Sequence, residues 1–166
     1  NYVNYAKNAY LICGLHKFSF KSKIRIHNEK AYAVDVAFMN NRDDAMSGEN
    51  LGWRLETIVY IELLRRFKPQ GCDIYYFAET SGKTDFVVCK GRSVQQIIQV
   101  CYDISNPKTF KREIKGLLLT SEKTKCNNLL LITNNDDSQI TENGKTIDIV
   151  PAYAWLTEGQ PQLEKQ

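Results

Sequence analysis

Apolar residues recur at helical spacing in two long segments of the chain. Residues 51–67, "LGWRLETIVYIELLRRF", form the most helical stretch and end before Pro69 and Gly71. Residues 107–123, "PKTFKREIKGLLLTSEK", begin with proline in the first turn and place apolar side chains on one face. Two shorter segments, "YVNYAKNAYLI" before Gly14 and "AYAWL" near the end, predict short helices.

Other segments have the composition and alternation of β-strands. "DIYYFAE", "TDFVVCK" and "VQQIIQVCYDI" follow one another and are joined by the short turns "TSGK" and "GRS", which predicts an antiparallel meander. "NNLLLIT" predicts a strand buried on both faces, "NNDDSQITENG" a surface loop, and "KTIDIVP" a last strand. The order α-β-β-β-α-β predicts an α/β layered domain.

The N-terminal region has a pattern of its own. "LHKFSFKSKIRIHNEKAYAVD" alternates apolar with basic residues on both sides of a turn expected at Asn28-Glu29, which predicts a hairpin with one basic face. The polar stretch "FMNNRDDAMSGEN" that follows is the best internal boundary. We therefore expect an appendage at 1–37, a linker at 38–47, a main domain at 48–157 and a disordered tail at 158–166. Because the chain starts at Asn1 without methionine, we expect a fragment of a longer protein.

Composition narrows the class of protein. With 166 residues, 43% hydrophobic and 25% charged, the sequence is that of an ordinary globular domain, and no apolar run approaches the roughly 20 residues that span a bilayer. We expect no contact with a membrane. The five cysteines are odd in number and lack C-x-x-C spacing, which favours reduced thiols and a cytoplasmic protein over disulfides. The chain has only two histidines and no C-x-x-C pair, so we expect no bound metal of the zinc type.

Charge is distributed unevenly along the chain. Residues 1–30 carry six lysines and arginines against one acid, although the net charge of the whole chain is only +3. Lys17, Lys21, Lys23 and Arg25 are therefore the candidate nucleic-acid contacts. A solvated basic face, or a face that meets another protein module, is the alternative interpretation.

The stretch "SGKT" at 81–84 resembles the end of a phosphate-binding loop. The motif G-x-x-x-x-G-K-[ST] also requires a glycine at position 77, where this chain has Phe77, and a helix after the threonine, where this chain predicts a strand. We interpret "SGKT" as a hairpin turn and expect the chain neither to bind nor to hydrolyse ATP.

Three polar residues fall where their side chains can share one site. Glu56 lies in the apolar sector of the 51–67 helix, where a carboxylate is unfavourable unless it is paired or bound to metal. The alternative is an edge carboxylate bonded to a nearby arginine or backbone amide. Asp85 is expected to share a strand face with Val87, and a turn at Gly91-Arg92 brings it opposite Gln99. The spacing allows a polar cluster of Glu56, Asp85 and Gln99.

Several segments together resemble the C-terminal domain of a family of bacterial and archaeal AAA-type ATPases. The resemblance rests on "GWRLETIVYIELLRR", "SGKTDFVVCKG", "IIQVCYDISNPKTFKREIKGLLLTSE", "LLLIT" and "KTIDIVPAYAWL". It implies a restriction-endonuclease-like fold of the PD-(D/E)XK type, a mixed sheet flanked by helices. "NYVNYAKNAYLICGLHKFSFKSKI" is similar to the end of the winged-helix segment that precedes this domain, which implies a small winged-helix-like appendage.

The resemblance also assigns the positions of a nuclease centre. It places the helix glutamate at Glu56, the aspartate at Asp85, the second carboxylate at Gln99 and the lysine at Cys101. A Mg²⁺ nuclease uses anionic oxygens to hold metal and water and a lysine to stabilise charge, which an amide and a thiol do not supply. The resemblance thus implies a relict site with no catalytic residues and no cofactor in this chain, and ATP in the parent protein.

The expected function is therefore non-catalytic. We expect the chain to bind or position nucleic acid or a protein partner for the ATPase module of the same protein, with DNA as a further partner. An active nuclease that uses Mg²⁺ and a pure protein-interaction module are the alternatives.

Overall fold

The computed structural model describes residues 2–19, 29–39 and 51–157 of the chain. These residues form a mixed α/β fold in which helices flank an eight-stranded sheet. The α-helices are α1 (Tyr2–Asn8), α2 (Leu51–Phe67), α3 (Pro107–Thr124) and α4 (Ala152–Thr157). The strands are β1 (Ile12–Lys17), β2 (Glu29–Ala33), β3 (Cys72–Glu79), β4 (Gly82–Lys90), β5 (Ser93–Val100), β6 (Leu129–Thr133), β7 (Ser138–Glu142) and β8 (Lys145–Pro151). Short 3-10 helices cover Val36–Met39 and Lys68–Gln70.

The sheet has the strand order β2-β1-β3-β4-β5-β6-β8-β7. Its centre is the predicted meander, since β3, β4 and β5 pair antiparallel in sequence and β4 turns into β5 at Gly91-Arg92. Strands β5, β6 and β8 are parallel, and β6 is buried along its whole length, as its apolar sequence predicts. No helix of the described part of the chain is long and apolar enough to cross a membrane.

The N-terminal strands belong to the same sheet. Strands β1 and β2 pair antiparallel, and β1 also pairs parallel with β3. The first strand of the predicted hairpin, at 18–26, lies mostly outside the described residues, and β1 precedes it. Gly14 lies within β1 and does not end a segment, and Glu29, predicted in a turn, begins β2 opposite His16. The predicted linker falls largely on residues that the structure does not describe, so the division into domains stays a prediction.

The predicted loop 134–144 contains a strand. Residues Ser138–Glu142 form β7, which pairs antiparallel with β8 at the edge of the sheet. Its sequence, "SQITE", has a single apolar residue, so pairing with β8 rather than burial defines this strand.

The two faces of the sheet carry different helices. Helices α2 and α4 pack on one face in a cluster that includes Leu15, Phe86 and Trp155. Helix α3 packs on the opposite face, where its Ile114 and Leu117 meet the apolar side chains of β5, β6 and β8. The approach of α3 to β4 is so close that a Cβ atom on Gly116 would lie 2.1 Å from the carbonyl oxygen of Lys83.

Candidate functional site

A β-bulge in β4 sets the position of Asp85. Opposite the two-residue step from Tyr75 to Phe77 in β3, strand β4 takes three residues, from Val87 back to Thr84. The Thr84 hydroxyl donates to the Gly116 carbonyl oxygen at 3.0 Å and shares a hydrogen bond of 2.8 Å with the Thr120 hydroxyl, so it faces α3. The extra residue interrupts the alternation of faces, which corrects the expectation that Asp85 simply continues the face of Val87.

Where the backbone pairing of β4 with β5 ends, the side chains of Asp85 and Gln99 accept hydrogen bonds from backbone N–H groups of these two strands. The backbone N–H of Asp85 donates to Gln99 Oε1 at 3.1 Å, and the N–H of Val100 donates to Asp85 Oδ2 at 3.1 Å. Both side chains are almost fully buried, at 3% and 1% exposure. The predicted proximity of Asp85 and Gln99 is confirmed, and their side chains satisfy backbone donors that a regular ladder would pair.

Glu113 on α3 completes this buried network. Gln99 Nε2 donates to Glu113 Oε2 at 2.6 Å, and the exposed Arg112 donates twice to Glu113 Oε1, at 2.6 and 2.9 Å. The sequence does contain a signal for Glu113, because it lies one helical turn before Leu117, on the apolar stripe of α3. A carboxylate on that stripe requires a partner in the sheet, and Gln99 is that partner.

Glu56 belongs to a second cluster on the α2 face. Its Oε1 accepts a hydrogen bond of 2.5 Å from the Tyr32 hydroxyl and lies 3.4 Å from Lys30 Nζ. Tyr32 is buried and packs against Tyr60, which donates to the carbonyl oxygen of Gly14 at 2.6 Å. Glu56 is therefore a paired carboxylate, as the alternative interpretation of the sequence expected. Its partners, however, are Tyr32 and Lys30 of β2 and not an arginine or a backbone amide.

Burial and a neighbouring charge change the acidity of Asp85. Desolvation is the main cause that raises the pKa of its carboxyl to about 7, and the charge of Glu56 adds to the rise. Lys30, the hydrogen bond from Val100 and Lys83 act in the opposite direction. Near neutral pH a large fraction of Asp85 is therefore protonated in the absence of a bound cation.

The thiol of Cys101 does not supply the positive charge that a lysine would carry at this position. Its thiol contacts the Asp103 carbonyl oxygen at 3.3 Å and packs beside the apolar cluster of α3. Burial raises the pKa of the Cys101 thiol, and the charge of Glu113 raises it further, so the group is neutral at pH 7. All five cysteines of the chain are free thiols.

These residues do not fit a Mg²⁺ centre. A hard divalent cation needs several converging anionic oxygens, whereas Glu56 is bonded to Tyr32 and Lys30 and Gln99 has both ends of its amide engaged. Within residues 2–19, 29–39 and 51–157, no group of three or more His, Cys, Asp or Glu side chains could hold a metal ion. The hydrogen bonds of these side chains to one another and to the backbone form a buried polar network.

Of the basic candidates, Lys17 lies at the same end of the sheet as this network. Lys17 ends β1, next to Tyr76 near the end of β3, and β3 ends where β4 and the bulge begin. Lys21, Lys23 and Arg25 lie outside the described residues. The first half of α3 carries four exposed bases on its outer side, namely Lys108, Lys111, Arg112 and Lys115.

The chain is similar to an uncharacterized protein of Methanocaldococcus jannaschii, with 35% identity over 161 residues. The matched region covers 93% of this chain but 35% of the relative, so the chain spans about a third of the length of the curated relative that it matches. No family model matches the chain. No solved structure matches it either.

Proposed function

We propose that this chain is a non-catalytic domain of restriction-endonuclease-like fold, carried by a AAA-type ATPase, that holds nucleic acid by its phosphate backbone. One observation carries the proposal. The positions that resemble a nuclease centre are engaged in internal hydrogen bonds, while exposed bases on α3 border them. A domain that keeps the binding surface and lacks the metal centre positions its ligand without cutting it.

The placement of the α3 bases argues for an anionic ligand. Lys108, Lys111, Arg112 and Lys115 follow the spacing of one helix side, in the N-terminal half of an 18-residue helix. The positive end of the helix dipole disfavours cations there, and the first turn contains no acid. Arg112 has a partner in Glu113, but the lysines gain no comparable stabilisation from the helix. A phosphate backbone would turn this unfavourable arrangement into a favourable one.

The ATPase part of the proposal concerns the longer protein. The relative extends well beyond the matched region, as expected for a module carried by a larger chain. Within this chain "SGKT" spans the β3–β4 turn and the start of β4, and no helix N-terminus follows it to hold a phosphate. ATP would bind to the ATPase module of the parent protein, which is the expected partner of this domain.

The test measures the anisotropy of a fluorescein-labelled DNA duplex titrated with the 166-residue chain at two salt concentrations. Lys108, Lys111 and Lys115 are changed together to alanine, and the matched control changes Lys90 and Arg92, which lie at the far end of the β4–β5 hairpin. We expect the α3 variant to bind more weakly and its logarithmic salt slope to fall by about 2 to 3, while the control changes little.

A second variant and a cleavage assay separate the alternatives. Changing Lys21, Lys23 and Arg25 together to alanine tests the N-terminal bases, and a larger loss there than in α3 would move the contact to that segment. Cleavage of plasmid DNA with Mg²⁺ or Mn²⁺ that disappears in Asp85→Asn would establish an active nuclease and contradict the proposal. No binding at low salt would leave a protein-interaction module as the function.

A further inference from the structure

Helix α1 and the turn after it expose three tyrosines, Tyr2, Tyr5 and Tyr10, which we call the α1 tyrosines. Tyr2, Tyr5 and Tyr10 are 91%, 72% and 83% exposed, and α1 contributes no buried residue to the core. An exposed aromatic group of this kind on a small domain marks a contact surface, because isolated exposed apolar residues are common but clustered large ones are not. The tyrosines therefore need an explanation other than folding.

The backbone at Tyr10 makes the same point independently. Tyr10 has φ +56°, and it follows α1 as the left-handed residue of a Schellman motif, with hydrogen bonds from Leu11 N–H to the Ala6 oxygen and from Tyr10 N–H to the Lys7 oxygen. Glycine is the usual residue there, since a Cβ atom is strained in this conformation. The chain keeps a tyrosine in this unfavourable conformation although its ring is 83% exposed.

Helices α1 and α3 lie on the same face of the sheet. A Cβ atom on Gly14 would lie 1.8 Å from Glu29 Oε1, and Glu29 forms an ion pair with Lys7 of α1, so α1 covers the side of β1 toward which Gly14 faces. The neighbouring Leu15 points to the opposite side, into the cluster of α2 and α4. Because α3 also lies opposite α2, helices α1 and α3 flank the same face of the sheet.

Aromatic rings beside a basic surface are the elements of a single-strand binding site. Base faces stack on aromatic side chains while lysines follow the backbone, and in a duplex these faces are already stacked on one another. The exposed lysines of α3, Lys108, Lys111 and Lys115, provide the charge that complements a polyanion. A protein partner for the tyrosines would not account for this excess of positive charge.

We infer that the α1 tyrosines form a stacking platform for the bases of single-stranded nucleic acid, whose backbone lies along the basic face of α3. The inference rests on the proposed function and deepens it by naming the ligand class. Duplex binding then reports the backbone contacts alone, and single-strand binding reports backbone and base contacts together.

The test compares a fluorescein-labelled single-stranded DNA oligonucleotide with its duplex in anisotropy titrations. Tyr2, Tyr5 and Tyr10 are changed singly to leucine, and Tyr5→Trp keeps an aromatic face. Tyr153→Leu is the matched control, because Tyr153 is 66% exposed but lies on α4, on the other side of the sheet. Each leucine change is expected to weaken single-strand binding about tenfold and duplex binding less than twofold, and Tyr5→Trp and Tyr153→Leu should bind like the parent chain.

The outcomes separate this inference from the proposed function. If the change of Lys108, Lys111 and Lys115 weakens binding to both ligands while the tyrosine changes affect neither, the platform is overturned and the backbone contact stands. Equal losses for duplex and single strand in the tyrosine variants would also overturn it, since stacking on bases requires an open strand. If the parent chain binds neither ligand at low salt, both proposals fail.

Discussion

The side chains around Asp85 are buried and bonded to one another, whereas the tyrosines at α1 are exposed to solvent. In the interior, Asp85, Gln99 and Glu113 bond to each other and to the backbone of β4 and β5. On α1 the tyrosines are exposed, and one of them has an unfavourable backbone conformation. The buried side chains around Asp85 are thus explained by the stability of the fold, whereas the exposed tyrosines add no buried surface to the core.

Replacing Gln99 is the strongest test of whether the buried network stabilises the fold. Gln99→Leu leaves the Asp85 N–H and one oxygen of Glu113 without partners in the interior. An unpaired buried donor and a poorly paired buried carboxylate should together lower the free energy of unfolding by about 4 kcal/mol. Urea denaturation measures the loss.

Gln139→Leu is the control for this experiment. Gln139 donates to Asp148 at 2.6 Å, but the pair is exposed, so its loss should change stability by less than about 1 kcal/mol. If Gln99→Leu is as mild as this control, the network does not stabilise the fold and the comparison fails.

A second test uses pH. Asp85 has a pKa of about 7 in the folded protein against an ordinary value of 3.8, so the folded state binds the proton more tightly. Its contribution is fully present below pH 3.8 and is lost as the pH rises to about 7. We expect a fall of about 3 kcal/mol in the free energy of unfolding across this window, measured by urea denaturation at several pH values.

Asp85→Asn isolates this effect from other carboxyl groups. The amide keeps an oxygen for the Val100 N–H and does not titrate. The arginine partners of Glu62 lower its pKa to about 2, so Glu62 makes the protein more stable as the pH rises, opposite to Asp85. Subtracting the curve of Asp85→Asn from that of the parent chain removes this contribution. If the free energy of unfolding depends on pH in the same way in both proteins, the pKa of Asp85 is not raised in the folded state.

The smallest effect sharpens the α1 side of the comparison. Tyr10→Gly removes a strained Cβ atom from the left-handed residue after α1, so it should raise the free energy of unfolding by about 1 kcal/mol. Thermal unfolding should show the rise, while Asn143→Gly, at a second residue of positive φ, should gain less because asparagine tolerates that conformation. A loss of stability in Tyr10→Gly would mean that the ring packs on the fold.

Much of the central fold could be predicted from the sequence because its patterns are local. The helix predicted at 51–67 has the bounds of α2, and the turn at Gly91-Arg92 joins β4 to β5. Strand β7 could not be predicted in this way, since pairing with β8 defines it and its own sequence is polar. Local pattern identifies an element when the element buries its own apolar face.

The sequence predicted that Asp85 and Gln99 meet. It did not predict Glu113 as their neighbour or Tyr32 as the partner of Glu56. The helical projection correctly placed Glu56 toward the interior, yet its partner Tyr32 comes from a strand 24 positions earlier. The bulge at Asp85 depends on the register between β3 and β4, which no single strand encodes. Long-range register and partner choice are tertiary properties, and they decide that the polar residues form a structural network.

The parallel pairing of β1 with β3 has a consequence for how the domain assembles. The β3–β4–β5 meander closes through short turns, whereas the register of β1 joins His16 to Tyr75 across a long intervening chain. Closing that loop loses more chain entropy than closing a hairpin. We therefore expect the meander to form early in folding and β1 and β2 to dock late. Changes at the β1–β3 seam would then accelerate unfolding and leave the folding rate almost unchanged.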